Sequence, residues 1–250
     1  MFIDTHAHLN WEKLAGREAE VIENAKQSGV EIILTVGCDI ETIEKSRDCA
    51  EQFENVFFSA GIHPEEAGKP VDWEAFESFL SHPKCKAVGE CGLDFYYTRE
   101  TESIQRENFK RQIELARKYD LPLIIHTRDA GAEMLKMIEE EKVQNFVIHC
   151  FTESPAFAMR IIEMGGRASF GGIITYPKAD SVRDALKVFP LNRIMLETDC
   201  PYLAPQSVRG QVNEPKYVPE IAQKMAEVKG ASLDQVEKVT TTNAQRFFQF

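Results

Sequence analysis

Phe2-Ile3-Asp4-Thr5-His6-Ala7-His8-Leu9-Asn10 stands near the start of a 250-residue chain. Two apolar residues lead into an acid and then into His-Ala-His. Written as a strand, the segment points successive side chains to opposite faces, so His6 and His8 share one face. Two imidazoles on one rigid strand end suit a zinc-type or mixed divalent ion, because imidazole nitrogen is a good ligand for first-row metals. Histidines two apart also occur without any ion, as strand-end side chains meeting solvent. The spacing alone leaves both readings open.

Short apolar runs of the same kind recur along the chain, each followed by a longer amphipathic or charged stretch. Strands are expected near residues 1–4, 31–36, 56–60, 87–89, 121–126, 145–149, 167–170 and 193–197. Runs such as Ile32-Ile33-Leu34 and Leu123-Ile124-Ile125 are continuous rather than alternating, as in strands buried on both faces of a parallel sheet. Helices are expected near 18–28, 41–53, 72–80, 101–119, 130–141, 154–164 and 180–188, with two more near 218–228 and 232–248. Gly29 and Met164-Gly165-Gly166 read as helix stops, Ser154-Pro155 as a capped start, and Ser232 with Gln235 as a capping box. Eight βα units predict an α/β fold, a closed (β/α)8 or TIM barrel, as a single domain over residues 1–250. The alternative, an open doubly wound sheet, lacks its Gly-x-Gly-x-x-Gly turn after the first strand. The stretch 199–219, with Pro201, Pro205, Gly210, Pro215 and Pro219, is expected to form a long loop over the barrel mouth.

Composition narrows the function. Lys and Arg number 29 against 40 Asp and Glu, a net charge of −11. A broad basic face for gripping long nucleic acid is therefore not expected, since that grip comes from lysine and arginine displacing counterions. A local positive centre made by bound cations remains open. The six cysteines, 38, 49, 85, 91, 150 and 200, show no Cys-x-x-Cys, and Asp4 and His6 interrupt any apolar leader. Free thiols in a reducing cytoplasm are the expectation. No apolar run is long enough to span a bilayer.

The residues able to hold an ion fall at the C-terminal ends of the expected strands, where a barrel gathers its chemistry. His6 and His8 follow the first strand, His63 the third (Gly61-Ile62-His63-Pro64) and Glu90 the fourth (Gly89-Glu90-Cys91-Gly92-Leu93-Asp94). His126 ends the fifth, His149 the sixth and Asp199 the eighth. Of the six histidines only His82 falls elsewhere. Each has a plainer explanation singly: a hydrogen-bonded core histidine, a helix-capping Glu90, a turn-starting Asp199. Cys91, Cys150 and Cys200 read as small buried apolar residues.

These motifs, with His126-Thr127-Arg128, His149-Cys150-Phe151, Glu197-Thr198-Asp199-Cys200-Pro201-Tyr202-Leu203, Arg209-Gly210 and Asn213-Glu214-Pro215, run the length of the chain. In order and spacing the sequence resembles the TatD-type metal-dependent hydrolases, the deoxyribonuclease branch of the amidohydrolase-like barrels, and within them the YcfH-type branch. Cys91 departs from the aliphatic or Thr residue expected there. The resemblance implies two divalent ions, Mg, Mn or Zn. His6, His8 and Asp199 would hold one, His126 and His149 the other, and Glu90 would bridge them where related barrels use a modified lysine. Asp199 would orient a water or take its proton, and Glu90 would serve beside it in catalysis. Arg128 would hold a phosphate by its planar fork, and His63 would donate to substrate. Structural hydrogen bonds are the alternative for both.

The expected activity is hydrolysis of phosphodiesters at DNA strand ends, of the 3′–5′ exonuclease type. A second possibility keeps the site and changes the bond to a carboxylic ester or amide, such as the ester of a D-aminoacyl-tRNA. A third is a non-enzymatic metal-binding protein, which leaves open coordination positions and Arg128 without a purpose. A monomer with no obligate protein partner and no membrane contact completes the expectation.

Overall fold

A computed structural model describes residues 1–250. Strands and helices alternate along the chain: β1 (Phe2–Ala7), α1 (Glu18–Gln27), β2 (Val30–Gly37), α2 (Ile40–Gln52), β3 (Val56–Ala60), α3 (Trp73–Leu80), β4 (Cys85–Asp94), α4 (Glu102–Tyr119), β5 (Leu123–Arg128), α5 (Gly131–Glu140), β6 (Phe146–Ile148), α6 (Pro155–Glu163), β7 (Arg167–Phe170), α7 (Asp180–Val188), β8 (Ile194–Leu196), α8 (Val218–Lys229) and α9 (Leu233–Phe248). Each strand pairs in parallel with the next, in the order β1 to β8. A bridge between Ala7 and Cys200 brings the last strand back to the first, so the sheet is a nearly closed barrel.

The expected elements are present, with shifts at their ends. β4 runs from Cys85 to Asp94 rather than over 87–89, so Glu90 lies inside the strand and not after it. β1 extends to Ala7 and contains His6. The stretch after β8 holds two short 3-10 turns, Gln206–Val208 and Pro215–Tyr217, before α8. Ser154 caps α6 as expected, accepting from the Phe157 amide. Ser232 accepts from the Gln235 amide at the start of α9. The reciprocal capping box belongs to α2, where Asp39 and Thr42 satisfy each other's backbone.

Apolar residues hold the barrel in two places. A cluster of 57 buried residues joins the strands to the surrounding helices, whereas the barrel interior holds a separate group of nine. In that group Ile3, Leu34, Ala87, Ile124, Val147 and Met195 come from six strands, and Ala244, Phe247 and Phe248 of α9 close over them. One end of the barrel is thus a dry plug, and polar side chains collect at the other. No helix is long and apolar enough to cross a membrane.

Closure depends on polar contacts between the first and last strands. The Thr5 hydroxyl donates to the Leu196 carbonyl at 2.9 Å. The buried Asp4 carboxyl accepts the Thr198 amide at 3.0 Å and pairs with the Thr198 hydroxyl at 2.5 Å. Burial pushes the Asp4 carboxyl from its ordinary 3.8 up to about 8, against the pull of its hydrogen bonds. Folded Asp4 therefore keeps its proton where the unfolded chain would lose it. The stability this confers is complete below the unfolded value and is lost as pH rises through about 8. Asp4→Asn retains the shape without the charge. Its melting temperature should lie nearest the native chain's below about pH 4 and exceed it by a margin that grows up to about pH 8.5. Parallel pH profiles for the two proteins would remove Asp4 as the source of the slope.

Candidate metal centre

At the open end of the barrel, β1, β4, β5, β6 and β8 deliver their side chains to one point. Two of these strands are irregular where they do so. The pairing of β1 with β2 shifts register between Asp4 and Ala7, and that of β4 with β5 shifts between Val88 and Cys91. Such bulges re-aim side chains beside functional sites. They bring in His6 and Glu90. Glycine makes room for the approach: a Cβ on Gly61 would meet the Glu90 carbonyl oxygen at 2.3 Å, and one on Gly92 the His126 carbonyl oxygen at 2.1 Å.

Glu90 is the hub, and its two oxygens divide the histidines. Oε2 faces His6 Nε2 at 3.2 Å and His8 Nε2 at 3.8 Å. Oε1 faces His149 Nε2 at 2.7 Å, His126 Nδ1 at 2.9 Å and His63 Nε2 at 3.3 Å. Asp199 Oδ1 completes the first side, 3.2 Å from His8 Nε2 and 3.7 Å from His6 Nε2. The His6 and His149 rings stack at 4.0 Å between centroids. All seven of these expected residues therefore meet. Arg128 stands apart on the rim of the same cavity, which has a volume of about 770 Å³. His82 lies elsewhere, against Glu51.

Neighbouring groups fix which ring nitrogen faces inward. Asp94 Oδ2 lies 3.0 Å from His126 Nε2 and accepts its N–H, which leaves Nδ1 facing Glu90. The Glu65 amide donates to His63 Nδ1 at 3.2 Å. That nitrogen is then the acceptor, so Nε2 carries the proton and donates towards Glu90. Proximity groups His63 with Glu90 and His126 as a possible ligand set. The tautomer makes His63 a donor instead, and the chemistry is the better guide here.

The electrostatics favour positive charge at this point. Burial alone would raise the Glu90 carboxyl, but the His149 and His63 rings and the hydrogen bonds from His126 and His149 hold it well below the usual carboxylate range. Asp199 is also lowered: burial opposes ionisation, and His8, His6 and His149 outweigh it. Burial pushes His6 down to about 4, so its ring is neutral and free to ligate. For His149, burial pulls the same way, but Glu90 dominates and raises it. A cation is stabilised here, either a proton on an imidazole or an ion held by imidazole nitrogens. His6 Nε2 and His8 Nε2 lie only 3.3 Å apart, beside two ionised carboxylates. Such a converging N and O donor set fits a divalent ion. Cys38 adds no thiolate. Its sulfur donates towards Glu90 Oε2 at 3.8 Å, and burial drives its thiol pKa far up.

Several contributors escaped the sequence reading. Asp94 orients His126, and its place four residues after Glu90 on one strand face was a usable signal. Buried Glu197 accepts the Cys150 amide at 2.6 Å and pairs with the Ser169 hydroxyl. Its carboxyl is pushed up to about 7, by burial first. Trp11, Tyr97 and Tyr202 line the cavity with Glu65 and Glu66. Tyr202 stood in a quoted motif without an assigned role, and nothing in the local sequence marked Trp11, Tyr97, Glu65 or Glu66. Cys91 and Cys200 are buried as expected, whereas Cys150 is half-buried at the cavity wall.

Comparison with known proteins places this geometry in a wider group. Residues 3–249 match the family described as TatD related DNase. The chain is 38% identical to the uncharacterized metal-dependent hydrolase YcfH of Escherichia coli strain K12, over 98% of this chain and 95% of that protein. It is 37% identical to the uncharacterized metal-dependent hydrolase YabD of Bacillus subtilis, over 100% and 99%. The crystal structure of YjjV, a TatD homolog from Escherichia coli K12, superposes with a TM-score of 0.95 at 29% identity, covering 100% of this chain and 98% of that one. The likeness spans the barrel from first strand to last helix, and the chain belongs to the TatD family of metal-dependent hydrolases.

Proposed function

We propose that this chain is a divalent-metal phosphodiesterase that trims single-stranded DNA ends. The observation that carries the reading is Arg128, an exposed guanidinium on the cavity that holds the carboxylate–imidazole cluster. It stacks on tyrosines rather than pairing with an acid, so its donors are free for a phosphate. The family description, TatD related DNase, agrees with that chemistry.

In this reading His6, His8 and Asp199 would hold one ion and His126 and His149 the other, with Glu90 serving both. The bound ions would polarise the scissile group and acidify a water. The protein's own groups do the rest. Asp199 has 16% of its side chain exposed against 5% for Glu90, so it is the carboxylate able to reach a water and take its proton. His63 presents Nε2–H to a substrate or leaving oxygen. Arg128 orients the phosphate by two parallel donors.

Glu90→Gln tests the bridge, because an amide offers one neutral acceptor where the carboxylate offers two charged oxygens. The variant should lose about half of its bound metal and at least about a hundredfold in turnover, with its circular dichroism melt retained. Elemental analysis decides it, and full metal content with normal turnover would take Glu90 out of the site.

Arg128→Lys keeps the charge and loses the fork. It should impair a phosphodiester about tenfold more than an uncharged ester. Equal losses on both substrates would leave Arg128 a supporting role only.

The net charge of −11 sets a third expectation. Flanking DNA is repelled, so binding should weaken with salt as for roughly one to three phosphates, about 0.9 log units per decade for each. A circular single strand should resist digestion that consumes the linear form. Rapid cleavage of the circle would mean an internal-cutting nuclease. Hydrolysis of an aminoacyl-tRNA or a simple ester, with no DNA cut under Mg²⁺, Mn²⁺ or Zn²⁺, would move the chemistry to a carbonyl.

A further inference from the structure

The cavity rim carries an arrangement that the hydrolytic centre does not require. The exposed aromatic side chains of this protein are Tyr96, Tyr97 and Tyr202, with exposures of 58%, 57% and 40%. All three stand on loops that follow barrel strands, at the open end. Gathered at one rim beside a cavity, such rings offer apolar faces for a partner to meet.

Each ring has a cation over its face. The Arg128 guanidinium lies 4.3 Å from the Tyr96 ring centre and 4.5 Å from that of Tyr97. The Lys13 ammonium lies 4.4 Å from the Tyr202 ring. A third pair, Arg209 over Tyr176 at 4.3 Å, joins the loops after β7 and β8. Trp11 meets Tyr202 edge-on at 5.2 Å and His8 at 4.7 Å, which ties the Tyr202 group to the metal-binding cluster. In an acidic protein these cations are kept on aromatic faces instead of carboxylates.

Their placement around the ring is informative. Tyr202 and Lys13 belong to the loops after β8 and β1, Tyr96 and Tyr97 to the loop after β4, and Arg128 to the end of β5. In an eight-stranded ring those two groups lie on opposite sides. Glu90 and its histidines sit between them. On the intervening side, after β3, the rim turns acidic with Glu65 and Glu66.

We infer that the two tyrosine groups are stacking platforms for unpaired nucleobases on either side of the scissile phosphodiester, with Lys13 and Arg128 holding the adjoining phosphates. The inference rests on the phosphodiesterase reading and names the residues by which that site would select unpaired bases. An aromatic face accepts any base, so recognition is of strandedness and not of sequence. Base pairs in a duplex keep their faces stacked on one another and cannot use the platforms. The acidic rim after β3 repels a phosphate chain leaving that way and favours a strand laid across the mouth.

The test is binding by the metal-loaded protein of three probes carrying a phosphorothioate at the scissile position: a deoxytrinucleotide, the same backbone with abasic sites, and the trinucleotide sequence within a duplex. Tyr97→Ala and Tyr202→Ala should each weaken the base-bearing strand by about tenfold and change the abasic strand by less than about twofold. Tyr97→Phe and Tyr202→Phe should restore binding, because the ring and not the hydroxyl is needed. Circular dichroism melts confirm that the variants are folded. Equal weakening of base-bearing and abasic strands, or native binding of the duplex as tight as of the single strand, overturns the platforms. A protein that cuts DNA yet shows that pattern loses the platforms alone. One that binds neither strand and hydrolyses a simple ester loses the phosphodiesterase reading as well.

Discussion

An ionised carboxylate taken out of water costs on the order of several kcal/mol unless its surroundings replace the hydration it gives up. Glu90 is buried and ionised, and five imidazoles supply that replacement. Each of those rings is held in turn. Asp94 presses on His126, the Glu65 amide fixes His63, and His149 stacks on His6. The carboxylate therefore orders the histidines, and the histidines keep the carboxylate charged. Removing any ring leaves a buried charge short of partners, and a divalent ion held by these residues would meet the same demand.

The barrel makes this possible by keeping its two ends unlike. At one end α9 drives Phe247 and Phe248 into a layer of aliphatic side chains, which excludes water and fixes the strands. At the other end polar residues stand at the strand ends or in the turns just past them. Closure then sets the distances. His6 and His8 meet Asp199 only because β1 and β8 are clamped together, through Asp4 with Thr198 and Thr5 with Leu196. Backbone bonds from Asp199 to His6, at 2.9 Å, and from His8 to Cys200, at 2.8 Å, extend the clamp to the ligands themselves. The site is thus assembled from the two ends of the chain by the same contacts that shut the sheet.

Much of this was legible because parallel strands have simple rules. Buried runs followed by polar residues gave the eight units, and the position of each His at a strand end gave the cluster. What was not legible depended on neighbours. Glu90 looked like the first residue past a short strand, yet it lies within a ten-residue one, because pairing with β3 and β5 carries β4 onward to Asp94. The register shifts in β1 and β4 exist only between strands and leave no mark on either alone. The capping box at Asp39 and Thr42 was readable in kind, but its Thr stands where Glu or Gln is usually sought. The tautomers of His63 and His126 required the Glu65 amide and Asp94 in space. Tyr96 and Tyr97 follow Asp94 in a turn whose carboxylate accepts both of their amides, at 2.9 Å each, and that turn is what lifts the rings to the rim.

That same turn links the rim to the carboxylate–imidazole cluster. Asp94 Oδ1 shapes the Tyr96–Tyr97 loop while its Oδ2 orients His126, so one buried side chain sets both a rim surface and a ring of the metal-binding cluster. The charge distribution limits what such a mouth can take. With 40 acidic against 29 basic residues, the field beyond the rim is repulsive to phosphate. At the mouth Arg128 and Lys13 offset it locally, and divalent ions held by the carboxylate–imidazole cluster would offset it further. Screening confines each influence to about 8 Å at physiological salt. On the proposed reading, a strand end of a few nucleotides would lie within reach of these cations, while a longer run would emerge over acidic surface at a cost that grows with the phosphates added.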